Sequence, residues 1–180
     1  MKRVILGLMA VALFGCAAYA QQNAKPETNP VSNALRTLVE RESSITVAAV
    51  EEMPADKFSF RPTPQQITFG HLVAHMGEAN YRFCSMISGA QMPKMESVKD
   101  TDPKDTLVAA LKSSFAFCAQ SLAKLDDSNL GEQVPFFGGR LASRGAVVLT
   151  LAQDYGDHYS MASVYLRLNG LLPPTARRRK

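Results

Sequence analysis

From Asn29-Pro30 onward, apolar residues return at broadly helical spacing: Ala34, Leu35, Leu38, Val39, Ile45, Val47 and Val50, ending at Met53. Asparagine before proline suits an N-cap and a first helical position, where the N–H that proline lacks would be unpaired anyway. Pro54, and then Arg61-Pro62-Thr63-Pro64, predict an extended or turning connection, because a residue before proline avoids the helical region. Thr68 predicts the cap of a second helix with the stripe Leu72, His75, Met76, Ala79, Phe83 and Met86, stopped by Gly89. His71 falls where a capping box usually carries glutamate. After a polar loop, Asp102-Pro103 with Asp105 predicts a third helix carrying Leu107, Ala110, Leu111, Phe115, Cys118, Leu122 and Leu125. Val134-Pro135-Phe136-Phe137-Gly138-Gly139 is too short and glycine-rich for a helix and reads as an extended stretch or tight turn. Ser143 then caps a fourth helix with Val147, Leu151, Asp154, Tyr155, His158, Met161, Ala162, Tyr165 and Leu168, ended by Asn169-Gly170 and Pro173-Pro174. The pattern predicts an all-α, up-down four-helix bundle over residues 30–174, with a short extended segment before the last helix.

The first twenty residues follow a different grammar. Met1-Lys2-Arg3 supplies charge, Val4 to Phe14 is apolar, and Ala18-Tyr19-Ala20 is a small-residue cleavage site before Gln21-Gln22. This predicts a signal peptide over 1–20, export to the periplasm or medium, and a flexible lead-in over 21–29. Leu13-Phe14-Gly15-Cys16 offers the alternative of a lipoprotein anchored through Cys16, but Phe14 fits that box poorly. The apolar run is shorter than the ~20 residues a membrane-spanning helix needs, and no later run is longer, so no membrane span is expected.

After cleavage about 160 residues remain, enough for one domain with a real core. The formal charge of +4 includes Lys2, Arg3 and the basic tail over 175–180, with Arg177-Arg178-Arg179-Lys180; without those six the body carries −2. Nucleic-acid binding is therefore not expected, and the tail reads as a solvated terminal run. Cys84 and Cys118 remain, and export makes a disulfide between helices two and three plausible; two small buried thiols are the alternative.

Two of the three histidines fall on the apolar stripes. His75 is on helix two; His158 is on helix four, four residues after Asp154, so those two side chains share one face. Facing helices of a bundle can close such a set around a metal, and two imidazoles with a carboxylate suit zinc, nickel or iron, with a coordination position left open. An Asp154–His158 helical ion pair beside a core histidine explains the same residues without a metal. His71 is a spare ligand or a surface residue of the first turn, and Tyr155 and Tyr159 are hydrogen-bond donors to the site or packing residues. No second carboxylate stands out as a general base.

Met53-Pro54-Ala55-Asp56-Lys57, Phe60-Arg61-Pro62-Thr63-Pro64 and Thr68-Phe69-Gly70-His71-Leu72-Val73-Ala74-His75 resemble the DinB-like four-helix bundles. The resemblance resumes at Asp157-His158-Tyr159-Ser160 and runs from Tyr165 to Pro174. It implies a metal-dependent protein: several such proteins transfer low-molecular-weight thiols or isomerise thiol adducts, others are taken as hydrolases, and many have no assigned reaction. It implies ligands at His75 and His158, with Asp154 standing where the family usually has its third histidine and Met161 where a glutamine is frequent. Export argues against intracellular thiol cofactors and favours hydrolysis or another transfer on a small-molecule substrate. A non-catalytic envelope bundle with a decayed site, binding a partner or small ligand, is the competing expectation, and a homodimer is an open assembly.

Overall fold

The computed structural model describes residues 25–94 and 98–177. The chain forms two compact units, Met1–Pro30 and Val31–Lys180. Of the first, only residues 25–30 are described, a lead-in without regular structure that ends at Pro30. The expected leader over 1–20, Cys16 and Arg178 to Lys180 lie outside the described residues. The second unit holds four helices: α1 (Pro30–Glu52, its first residue belonging to the lead-in), α2 (Phe69–Ser88), α3 (Lys104–Ser121) and α4 (Arg144–Leu168). A two-stranded hairpin, β1 (Gln133–Pro135) antiparallel to β2 (Leu141–Ser143), precedes α4 with Val134 opposite Ala142.

Helix ends with local signals form as the sequence predicts. Thr68 Oγ1 accepts the His71 amide at 3.1 Å and Ser143 Oγ accepts that of Ala146 at 3.3 Å, each satisfying an amide that the first turn leaves unpaired. After α2, Gly89 takes the left-handed conformation at φ 74°. After α4, Gly170 does the same at φ 75°, with Leu171 N bonded to Leu166 O and Gly170 N to Arg167 O.

Elsewhere the ends are closed by distant side chains. The first amides of α1 go to Asp127, which accepts from Val31 N at 2.9 Å, Ser32 N at 2.8 Å and the Ser32 hydroxyl at 2.5 Å. Partial burial pushes the Asp127 carboxyl up, but the Ser32 hydroxyl and the two amides outweigh it and hold the group below its ordinary pKa. Lys104 Nζ donates to the last carbonyls of the α1 segment, Glu51 O at 2.6 Å and Met53 O at 2.8 Å. Arg36 Nη1 does the same after α3, at Leu122 O and Leu125 O, so α3 ends at Ser121, short of the expected Leu125. Asp102, expected to cap α3, turns back to accept the Lys99 amide at 2.9 Å. At the other terminus Arg177, expected to be solvated, pairs with Glu52 at 2.5 Å.

The core is continuous, from Leu35, Val39 and Val50 of α1 through Phe69, Leu72 and Phe83 of α2 to Leu111 and Phe115 of α3 and Leu151 and Tyr165 of α4. α2 packs against both α3 and α4. A disulfide joins Cys84 to Cys118 with their Cα atoms 5.2 Å apart, tying α2 to α3 inside that core. The buried face of α1 differs from the expected one. It runs Ser32, Leu35, Val39, Glu42, Thr46, Ala49 and Val50, while Ala34 is exposed and Leu38, Ile45 and Val47 are half-buried. Strict alternation of three- and four-residue steps selects this face, although two polar residues sit in its middle.

Gly70 is the most closely approached of the described glycines. A Cβ there would lie 2.3 Å from the carbonyl oxygen of Asp100. Its amide donates to Phe58 O at 2.8 Å and the Phe69 amide to Phe60 O at 3.0 Å, so the start of α2 is strapped to the preceding connection. This sets the axial position of α2, and with it that of His75.

Candidate metal centre

His75 on α2 meets Asp154 and His158 on α4. The two imidazole rings are 4.9 Å apart between centroids and cross at 65°. Asp154 Oδ2 lies 3.1 Å from Nδ1 of His158, as an i,i+4 pair on one helical face. The contact is an ion pair off the line of a hydrogen bond, so Nδ1 is buried without a hydrogen-bond partner. The Asp154 and His158 side chains are 20% and 14% exposed, at the margin of the core. His75, expected on the core-facing stripe, is exposed: Leu72, Met76, Ala79 and Phe83 fill the buried face and His75 stands at its edge.

Burial of its inner face, and then the neighbouring His158 charge, hold the His75 pKa below the ordinary histidine value, against the pull of Asp154. His158 is shifted the other way, because its contact with Asp154 outweighs burial. The donor types, two imidazoles and one carboxylate, are those a divalent metal takes. The set is not closed, however. Among the described residues no group of three or more His, Cys, Asp or Glu side chains is arranged to hold a metal ion. The Asp154 carboxylate instead faces Nδ1 of His158, in the place of an orienting partner.

Three spaces surround this group. A recess of about 370 Å³ joins His75 to Asp154 and is lined by Glu78, Ala79, Arg82, Phe83 and Phe137. A cleft of about 830 Å³ reaches His75 and Glu78 from the other side, between α2 and the chain flanking residues 95–97. Beneath Asp154 and His158 lies a cavity of about 10 Å³, bounded by Thr46, Asn80 and Tyr155 among others. That volume is at the lower limit for one water, and the walls supply polar partners.

The remaining expected residues are engaged elsewhere. The His71 ring is exposed, with Nδ1 3.5 Å from Asp100 Oδ2. Tyr155 is buried against Phe115, its hydroxyl 3.8 Å from Cys118 Sγ, and burial together with the charges of Asp154 and Glu42 raises its pKa. Tyr159 donates to Thr175 Oγ1 at 2.9 Å. Met161 packs half-buried against the core.

Glu42 was missed. It is 3% exposed, its Oε2 has no hydrogen-bond partner, and its Oε1 meets the exposed Arg41 guanidinium. Burial raises its pKa, with Arg41 opposing. Thr46, one turn further along α1, reaches the small cavity under Asp154 and His158. The available signal was the three-four spacing of Leu35, Val39, Glu42 and Thr46, which an apolar-only stripe overlooks.

The sequence matches the model of the DinB superfamily over residues 38–162. The chain belongs to this superfamily. No curated protein matches the sequence. Among solved structures, a DinB-like protein from Bacillus subtilis superposes with a TM-score of 0.66 at 18% identity, covering 81% of this chain and 99% of that one. A DinB-like protein from Bacillus cereus gives 0.61 at 20% identity, covering 74% and 89%. A mycothiol-dependent maleylpyruvate isomerase gives 0.57 at 15% identity, covering 73% of this chain and 59% of that one. At these identities the likeness establishes the DinB bundle. Among the described residues no helix is long and apolar enough to cross a membrane.

Proposed function

We propose that this DinB protein is exported and binds one divalent metal, zinc, nickel or iron, through His75, Asp154 and His158, for use in a hydrolysis or group transfer. The carrying observation is the convergence of two imidazoles with centroids 4.9 Å apart on different helices, one of them held by Asp154. The metal would supply Lewis acidity, lowering the pKa of a bound water or thiol. The chain's part is to present His75 at the edge of an open recess and to seal the site from below with Tyr155 and Phe115. Export rests on the charged, apolar and small-residue order of the first twenty residues.

A second reading has its own observation. The three side chains are not arranged as a ligand set, and Asp154 and Met161 depart from the residues that the resemblance implies. On that reading the protein is a non-catalytic bundle with a decayed site.

The test is to express the chain with its own leader, sequence the N-terminus of the exported form, and measure metal per chain after dialysis against a weak chelator. The expected mature chain begins at Gln21 and holds one equivalent, lost in His75→Ala and His158→Ala because two protein ligands are too few for tight binding. Asp154→His should retain or strengthen binding. A wild-type protein that holds no metal and cannot be reloaded would leave the second reading, and a lipidated Cys16 would overturn cleavage after Ala20.

A further inference from the structure

Phe136-Phe137-Gly138-Gly139 places two aromatic residues at the tip of a hairpin, where two glycines at φ 69° and 72° turn the chain. Nothing in the reading of the three metal-ligand residues uses this tip. Phe136 is half-buried, lies under the Arg140 guanidinium at 5.7 Å from its ring centroid, and packs edge to face against Phe137 with centroids 5.0 Å apart. Phe137 turns inward and meets Phe83 of α2 edge to face, with centroids 5.3 Å apart and planes at 86°. The hairpin is fixed there by Arg144, whose guanidinium binds Glu132 Oε2 at 2.7 Å, Asn129 O at 3.2 Å and Ile87 O at the end of α2. Phe137 is thus a built wall of the recess that contains His75 and Asp154.

Along α2 that recess runs from His75 past Glu78 and Ala79 to Arg82. Seven residues of helix span about 10 Å at 1.5 Å per residue. Arg82 binds Glu78 Oε1 through Nε at 2.9 Å and Nη2 at 2.5 Å, and among the described residues its Nη1 makes no hydrogen bond. A ligand carboxylate can accept from Nη1 while the Nε bond to Glu78 persists, against the repulsion of the Glu78 carboxylate, which lines the same recess. The volume of about 370 Å³ lies within the range of small-molecule sites.

We propose that this recess is the substrate pocket and takes a small aryl or acyl carboxylate, with Phe137 and Phe83 as its apolar wall and Arg82 as its anion-binding end. The ligand's reacting group lies at the His75–Asp154 end, and a body about one ring long separates it from the carboxylate. The assignment of the reacting end rests on the proposed role of His75, Asp154 and His158.

The experiment is an NMR titration of the mature chain with 3-phenylpropionate and with its neutral amide, following the His75 ring signals. Both probes should bind wild type and shift those signals. Phe137→Ala should weaken both by about tenfold, the scale of one aromatic contact with its buried area. Arg82→Gln should weaken the acid by a similar factor and leave the amide unchanged. Leu141→Ala, an exposed change on the same hairpin outside the recess, should leave both unchanged and serves as the control for a disturbed hairpin. The proposal is overturned if wild type binds neither probe at millimolar concentration, if Phe137→Ala binds as wild type does, or if Arg82→Gln weakens acid and amide alike. Phe137-dependent binding in a protein that holds no metal would remove the metal reading alone, and a stoichiometric metal without it would remove the pocket alone.

Discussion

Replacing Gly70 by alanine tests how the start of α2 is placed. In an exposed helix interior this change stabilises by roughly 0.5–1 kcal/mol, because glycine loses more backbone freedom on folding. Here the new Cβ would stand 2.3 Å from Asp100 O and 3.4 Å from Phe58 O, and real Cβ contacts essentially never fall below 3.0 Å. Both obstacles are backbone, so the strand of chain at Asp100 or the first turn of α2 must move by most of an ångström. Overpacking of this kind costs about 1–3 kcal/mol, and stretching the 2.8 Å bond from Gly70 N to Phe58 O adds about 1 kcal/mol. After the gain from alanine, the net destabilisation is about 1–3.5 kcal/mol. For a domain of this size that lowers Tm by roughly 2–14 °C.

The assay is urea and thermal unfolding of the oxidised protein, with Gly156→Ala as internal reference. Gly156 is exposed within α4 and a Cβ there would meet nothing within 4 Å, so that variant should be more stable than wild type by about 0.5–1 kcal/mol. Opposite signs for the two glycines are the expected result. If Gly70→Ala matches or exceeds wild type, the close packing of α2 on Asp100 is wrong, and so is the account of what positions His75.

Two further outcomes follow from buried groups. Reducing Cys84–Cys118, or replacing both residues by alanine, should cost about 4 kcal/mol for a cross-link spanning 34 residues, read as a lower urea midpoint; equal midpoints would refute a formed bond. Glu42 has a folded pKa above its ordinary 4.5, so the native state holds the extra proton. Its contribution is fully present below that value and is lost as pH rises through the folded pKa. Glu42→Gln should therefore be more stable than wild type at neutral pH, by about 1 kcal/mol, with an advantage that shrinks toward pH 4.5. A Gln variant that is less stable at neutral pH, with the same pH slope as wild type, would show that the Arg41 pairing dominates burial.

What the sequence determined by itself was everything encoded within one or two helical turns. Thr68, Ser143, Gly89 and Gly170 act on amides or carbonyls a few residues away, so their helix ends were readable without knowing the fold. Most of the stripes of α2, α3 and α4 were readable for the same reason, although Leu168, expected on the α4 stripe, is 57% exposed, and so was the sharing of one face by Asp154 and His158. Tertiary structure decided what depends on partners distant in the chain. The cap of α1 comes from Asp127, 95 residues beyond Ser32, and the last carbonyls of α1 and α3 are met by Lys104 and Arg36. The buried face of α1 could not be found from apolar positions, because packing places Glu42 and Thr46 inside and leaves Ala34 outside. His75 shares the spacing of the α2 stripe yet stands at its edge, since a 100° period does not say where a neighbouring helix ends its cover. Phe137 joins the recess through a hairpin that Arg144 anchors to the end of α2, a contact across 57 residues that no local pattern encodes.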